Sequence, residues 1–170
     1  TKLVQHANSL ICPGFVDAHV HYPQLEVMAS HGEELLDWLN RYTFPAEAKF
    51  ANPEYAEVCA ERFLDELLRV GTTTALVFGT VHPNSIDAFF RSCEKRNLRM
   101  ISGKVMMDRN APVGLTDSPE SSYVDSKSLI ESWHNKGRLR YAVTPRFAIT
   151  SSPEQLNLAG LLLKEHPSVY

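Results

Sequence analysis

Residues 13–24 read Pro13-Gly14-Phe15-Val16-Asp17-Ala18-His19-Val20-His21-Tyr22-Pro23-Gln24, and the fold turns on how this stretch is read. An apolar run enters it, from Leu10 through Phe15 and Val16 to Val20, and predicts a buried strand over residues 10–20. Side chains two apart on a strand share a face. His19 and His21 therefore project side by side from the strand end. A transition metal needs that arrangement from two of its ligands, because neutral imidazole nitrogen is a good donor to zinc or iron. An isolated His-x-His arises often by chance. Here a Pro13-Gly14 turn precedes the pair and Pro23 follows it. Asp17 falls on the same face two residues earlier, where it could orient a ligand.

Outward from this motif the chain alternates strand and helix. Glu33, Leu35, Leu36, Trp38 and Leu39 lie at helical spacing and predict a short helix over 33–41, with Thr43-Phe44-Pro45-Ala46-Glu47 ending it and turning the chain. Asn52 as cap and Pro53 at the first position open a long helix that Gly71 terminates. A β-branched strand follows over 72–78. A helix capped by Asn84 or Ser85 runs to Lys95, and an alternating strand covers 99–107. A Pro-, Asp- and Ser-rich loop leads to a helix over 123–135, then a strand over 140–147. Ser152 caps a last helix that runs to Glu165, and Val169-Tyr170 could open a fifth strand.

Alternating units of this length without hairpin signals imply parallel strands joined by crossover helices. A doubly wound sheet and a TIM barrel both fit. The glycine-rich nucleotide motifs of the former are absent from the sequence. In a barrel the chemistry gathers at the C-terminal strand ends. The polar residues collect there: His19 and His21 after strand one, Thr80 and His82 after strand two, Asp108 and Asn110 after strand three, Thr144 and Arg146 with Phe147 at strand four. The expected fold is thus α/β, TIM-barrel-like and incomplete, with residues 1–170 supplying roughly four of eight strands as a single N-terminal portion. Both ends of the chain read as cut, with the C-terminal half of the barrel lying elsewhere.

Composition bounds the partners. Hydrophobic residues make up 44% of the 170, so a packed core is within reach. A net charge of −3 gives no reason to expect nucleic acid or an anionic membrane as partner. Cys12, Cys59 and Cys93 show no Cys-x-x-Cys spacing, which argues against a disulfide framework or thiolate zinc site and suits a reducing, cytoplasmic setting. No stretch approaches the roughly 18 apolar residues of a membrane span.

The segment from Pro13 to His21 resembles the metal motif of the amidohydrolase superfamily. Four further stretches resemble its guanine deaminase family: Tyr22-Pro23-Gln24, the run Leu36-Asp37-Trp38-Leu39-Asn40-Arg41-Tyr42-Thr43-Phe44-Pro45-Ala46-Glu47, Gly71-Thr72-Thr73-Thr74-Ala75, and Thr144-Pro145-Arg146-Phe147. This resemblance implies a zinc-dependent hydrolase that deaminates guanine to xanthine and ammonia, a homodimer, with one zinc per active site. It makes His19 and His21 the first two ligands and assigns Gln24, Arg146 and Phe147 to the substrate. The remaining ligands and the proton-shuttling Glu fall beyond Tyr170 in the family's order, so no catalytic residue is expected within this chain, and the chain by itself is expected to be inactive. Zinc would lower the pKa of a bound water from about 15.7 toward 7. An amide suits the mixed donors and acceptors of a purine edge, a guanidinium suits its carbonyl oxygen, and Phe147 would give an apolar contact.

Plainer roles compete for several residues. Trp38 belongs to an apolar stripe and suits the core as well as a pocket. Glu47 and Asp17 read as capping or ion-pair residues, and His82 and Asp108 as satisfied loop residues. His134 and His166 sit in no metal motif, and His31-Gly32 has no role to assign. Two other readings of the whole stand beside the first: another aminohydrolase acting on a cyclic amidine, or a catalytically silent binding module.

Overall fold

Four parallel strands in the order β1-β2-β3-β5 form the sheet of the computed structural model, which describes residues 2–32 and 34–170. They are β1 (Phe15–His21), β2 (Thr72–Phe78), β3 (Arg99–Gly103) and β5 (Arg140–Tyr141). A second parallel pair, β4 (Val105–Met106) with β6 (Thr144–Pro145), extends β3 and β5 toward their C-terminal ends. The helices between them are α3 (Pro53–Arg69), α4 (Pro83–Lys95), α5 (Pro119–Trp133) and α6 (Pro153–Glu165). Sequential strands lie side by side with a helix in each connection, the pattern of a barrel wall.

The local signals explain most of these elements. Asn52 accepts from the N–H groups of Glu54 and Tyr55 to cap α3, a contact that typically contributes about 1 kcal/mol. Gly71 leaves that helix at φ +84°, and its carbonyl accepts from Phe15 N–H at 2.8 Å, which ties the start of β1 to the turn before β2. Ser152 caps α6 by accepting from Gln155 N–H.

The structure corrects several boundaries. The first strand starts at Phe15 rather than Leu10: Leu10 and Ile11 are 95% and 87% exposed and make no ladder. Helix α4 begins at Pro83 with His82 before it, because Ser85 turns its hydroxyl back to the His82 carbonyl instead of capping. Helix α5 begins at Pro119, four residues ahead of the expected Tyr123, under a capping box of Ser118 and Ser121. The third strand breaks at Lys104, whose buried ammonium turns aside to pair with Asp117. Val169-Tyr170 is not a strand, yet Tyr170 donates to the Tyr141 carbonyl at 3.2 Å and accepts from Val143 N–H at 2.8 Å, alongside the fourth strand.

The largest correction concerns residues 35–48. Glu33, read as the start of a helix, lies outside the described residues. From Leu35 the chain stays helical through Pro45: α1 (Leu35–Trp38), a π-turn (Leu39–Thr43) and α2 (Phe44–Ala48). In a regular α-helix the Pro45 ring would strike the carbonyl of Arg41 and leave it unbonded. The wider turn, with Phe44 N–H reaching back five residues to Leu39 O, carries the chain past that conflict.

The main core packs α3, α4 and α5 on one face of the sheet, around Tyr22, Phe63, Phe89, Phe90 and Trp133. A smaller cluster of Leu39, Phe44, Val81, Val105, Met107 and Leu115 closes the sheet's C-terminal end. At the outer edge, Phe15 and Val16 of β1 are 58% and 71% exposed, and no strand among the described residues pairs there.

Strands three and four meet closely at Gly103, where a Cβ would lie 1.8 Å from the Ala142 carbonyl oxygen. Backbone cannot yield as a flexible side chain can. Gly103→Ala is expected to destabilise the fold by at least about 2 kcal/mol, read as a lowered urea midpoint at unchanged slope.

Candidate metal and substrate site

Strand β1 delivers its two histidines to the C-terminal rim. His19 Nε2 and His21 Nε2 converge to 3.3 Å. Two nitrogens bound tetrahedrally at about 2.05 Å would stand about 3.3 Å apart. The spacing is long for a hydrogen bond between the rings and matches the bite of a zinc-like cation. Phe78, opposite His21 in the β1–β2 register, supports both: its ring stacks on His21 with centroids 4.6 Å apart and an interplanar angle of 14°, and lies 5.0 Å from His19. Burial first, then the charge of Arg146 and the neighbouring His19, holds the His21 imidazole down to about 4. It is neutral at pH 7, the form that donates a lone pair. The donor set therefore fits a metal, though only in part. No group of three or more His, Cys, Asp or Glu side chains suited to a metal occurs among the described residues.

A short 3-10 turn over Tyr22–Val27 brings Gln24 back toward the pair. Its side-chain nitrogen lies 3.1 Å from His21 Nδ1. An amide nitrogen only donates, and this one also donates to Glu47 Oε1 at 3.3 Å; with a metal on Nε2 the ring proton would sit on Nδ1, and the amide nitrogen would keep its bond to Glu47 alone. The sequence's expected substrate residues also meet here. His19, His21, Gln24, Trp38, Phe78, Arg146 and Phe147 border one cavity of about 240 Å³, near the small end of ligand pockets and suited to one compact ring system. Trp38 faces this cavity and also packs on the smaller apolar cluster, so both of its readings hold.

Sequence reasoning missed two contributors. Phe78 reads as one more apolar residue of a strand, and only the register with β1 shows its contact with the imidazoles. Glu47 reads as an ion-pair residue and is one, but its partner is Arg146, 99 residues away: Arg146 Nη1 donates to Glu47 Oε2 at 2.6 Å. Glu47 Oε1 accepts from Gln24 Nε2 at 3.3 Å.

Other polar side chains near the strand ends bond to backbone. Asp17 accepts from the backbone N–H of His19 at 3.0 Å and steadies the strand end. Asp108 accepts from Ser152 N–H at 2.7 Å and from its hydroxyl, anchoring α6. His134 accepts from Tyr141 N–H at 3.0 Å and bonds Ser168 through its other nitrogen. No helix among the described residues is long and apolar enough to cross a membrane.

Known proteins resemble the chain over most of its length. Residues 10–166 match the amidohydrolase family. The chain is 58% identical to guanine deaminase of Escherichia coli K12 over 169 residues, 99% of this chain and 38% of that protein. Solved guanine deaminases resemble it in structure. The E. coli enzyme superposes with a TM-score of 0.91 at 59% identity, over 93% of this chain and 37% of the enzyme. The enzyme from C. acetobutylicum, with guanine bound in its active site, gives 0.88 at 35% identity, over 91% of this chain and 38% of the enzyme. The chain thus spans less than two-fifths of the length of these relatives.

Proposed function

The chain belongs to the amidohydrolase family, and from that premise we propose that it is the N-terminal part of a zinc-dependent guanine deaminase, supplying two metal ligands and most of the base-binding wall. One observation carries the reading. A metal-spaced imidazole pair, an amide, a guanidinium and an aromatic ring converge on one small cavity at the C-terminal rim of the sheet, in a chain 58% identical to a guanine deaminase.

His19 and His21 would hold the zinc through Nε2, with Phe78 fixing the ring planes. When bound, zinc supplies an activated water at neutral pH. Gln24 and Arg146 would orient guanine: the amide reads a mixed donor and acceptor edge, and the guanidinium donates to the carbonyl oxygen. Phe147 would cover the ring face and exclude water. The remaining ligands and the carboxylate that moves protons would come from sequence beyond Tyr170, and the 170-residue chain by itself would be inactive. A homodimer and a cytoplasmic setting complete the proposal on the family resemblance.

The test is turnover by the full-length protein loaded with stoichiometric zinc. Release of ammonia and xanthine from guanine, with none from cytosine or s-triazines, is the expected result. Full zinc occupancy without guanine turnover would exclude the substrate assignment.

A further inference from the structure

Glu47 is a buried charge at the rim that the chemistry above leaves without a task. The residue is 1% exposed and the Arg146 side chain 6%. An ionised carboxylate at that depth is unfavourable unless it is paired and hydrogen-bonded. Here both oxygens are engaged, and by the two groups assigned to the base: Oε2 by Arg146 at 2.6 Å and Oε1 by Gln24 at 3.3 Å. The Phe44 ring lies 5.3 Å from the guanidinium carbon on a neighbouring position of the same helix. A guanidinium carries five donors. Among the described residues its only side-chain bond goes to Glu47, which leaves the rest of the fork for the cavity that Arg146 borders.

A buried ion pair contributes little net stability compared with apolar packing of similar volume. Its placement beside the cavity, with one arm on each base-binding group, suits orientation. We propose that Glu47 is a positioning residue whose carboxylate spaces the Arg146 guanidinium and the Gln24 amide, so that both meet a planar base edge already aligned. The inference rests on the guanine reading above. Glu47 acts through Arg146 and Gln24 and leaves the base itself to them.

The experiment uses the zinc-loaded full-length protein with guanine. Glu47→Gln keeps the shape and removes the charge that pins the fork. It is expected to lower kcat/KM by about 10²-fold, a loss typical of misplaced binding groups, carried mainly by a raised KM with zinc content unchanged. If Glu47 works through Arg146, most of that loss disappears in an Arg146→Met background. A role confined to holding the fold would lower the thermal midpoint without such coupling. Should Glu47→Gln fail to fold, Glu47→Asp keeps the charge but shortens the reach, and a raised KM with zinc retained is again expected. An unchanged KM overturns the inference. So does an equal loss in the Arg146→Met background, which would mean that Glu47 does not act through the guanidinium, and so does loss of zinc together with activity. A wild-type protein that ignores guanine sinks the functional reading itself, whereas wild-type turnover with a silent Glu47→Gln sinks only this inference.

Discussion

Replacing either His19 or His21 by Ala in the full-length protein is expected to abolish zinc retention and guanine turnover together. The two imidazoles present their Nε2 atoms 3.3 Å apart, and each depends on the other for the bite. Removing one leaves a single nitrogen on this strand end, and the ligands expected beyond Tyr170 would have to hold the ion without the pair's bite. Loss of an outer-shell partner typically lowers metal affinity by 10–100-fold, and loss of a ligand itself is expected to exceed about 100-fold. The two readouts must fall in step: zinc per protein by elemental analysis after dialysis, and ammonia release from guanine. Full activity in either variant would defeat the ligand assignment. The fold is not at stake, since His19 is exposed and His21 only half-buried, so the far-ultraviolet spectrum should match the wild type.

Arg146→Lys is expected to lose guanine turnover while keeping its zinc. Lysine keeps the charge and can still pair with Glu47, so the buried carboxylate does not go unpaired. What disappears is the planar fork. Arg146 spends one donor on Glu47 and lies beside Phe44, with further donors fixed by the same plane. An ammonium has no such plane, and once drawn to Glu47 it cannot also meet a carbonyl oxygen with set geometry. A fall of about 10²-fold or more in kcat/KM is expected, with zinc stoichiometry and thermal midpoint close to wild type. Unchanged kinetics would remove Arg146 from the substrate. Together with the histidine variants this separates the two halves of the site: one class loses metal and rate, the other loses rate alone.

The sequence made the histidine pair of the proposed site legible because it is local. His19 and His21 share a strand face, so spacing alone brings them together, whereas Gln24, which reaches His21 from the following turn, was legible only through the family resemblance. Helices α3 and α6 were equally readable, since Asn52-Pro53 and Ser152-Pro153 announce them through caps that need no tertiary partner. Strand β2 was bounded by its β-branched run and Gly71. Reading failed where distant contacts decide. The apolar run from Leu10 has no partner strand before Phe15, so hydrophobicity overran the true start. The Glu47–Arg146 pair spans 99 residues, and Phe78 meets the imidazoles only through a parallel register. Neither leaves a periodic trace. Pro45 misled most, because proline usually ends a helix and here is absorbed by a widened turn.

That widened turn has a consequence for how this segment can vary. The π-turn inserts one residue's worth of rotation between Leu39 and Phe44, and each residue of an α-helix turns the chain by about 100°. Phe44 and Glu47 therefore owe their azimuth to the number of residues ahead of them as much as to their own identity. Substitutions at the solvent side of Asn40, Arg41 and Tyr42 leave that phase intact. Gaining or losing a single residue there would swing the carboxylate off the rim, so the segment is free to drift in composition while its length stays locked.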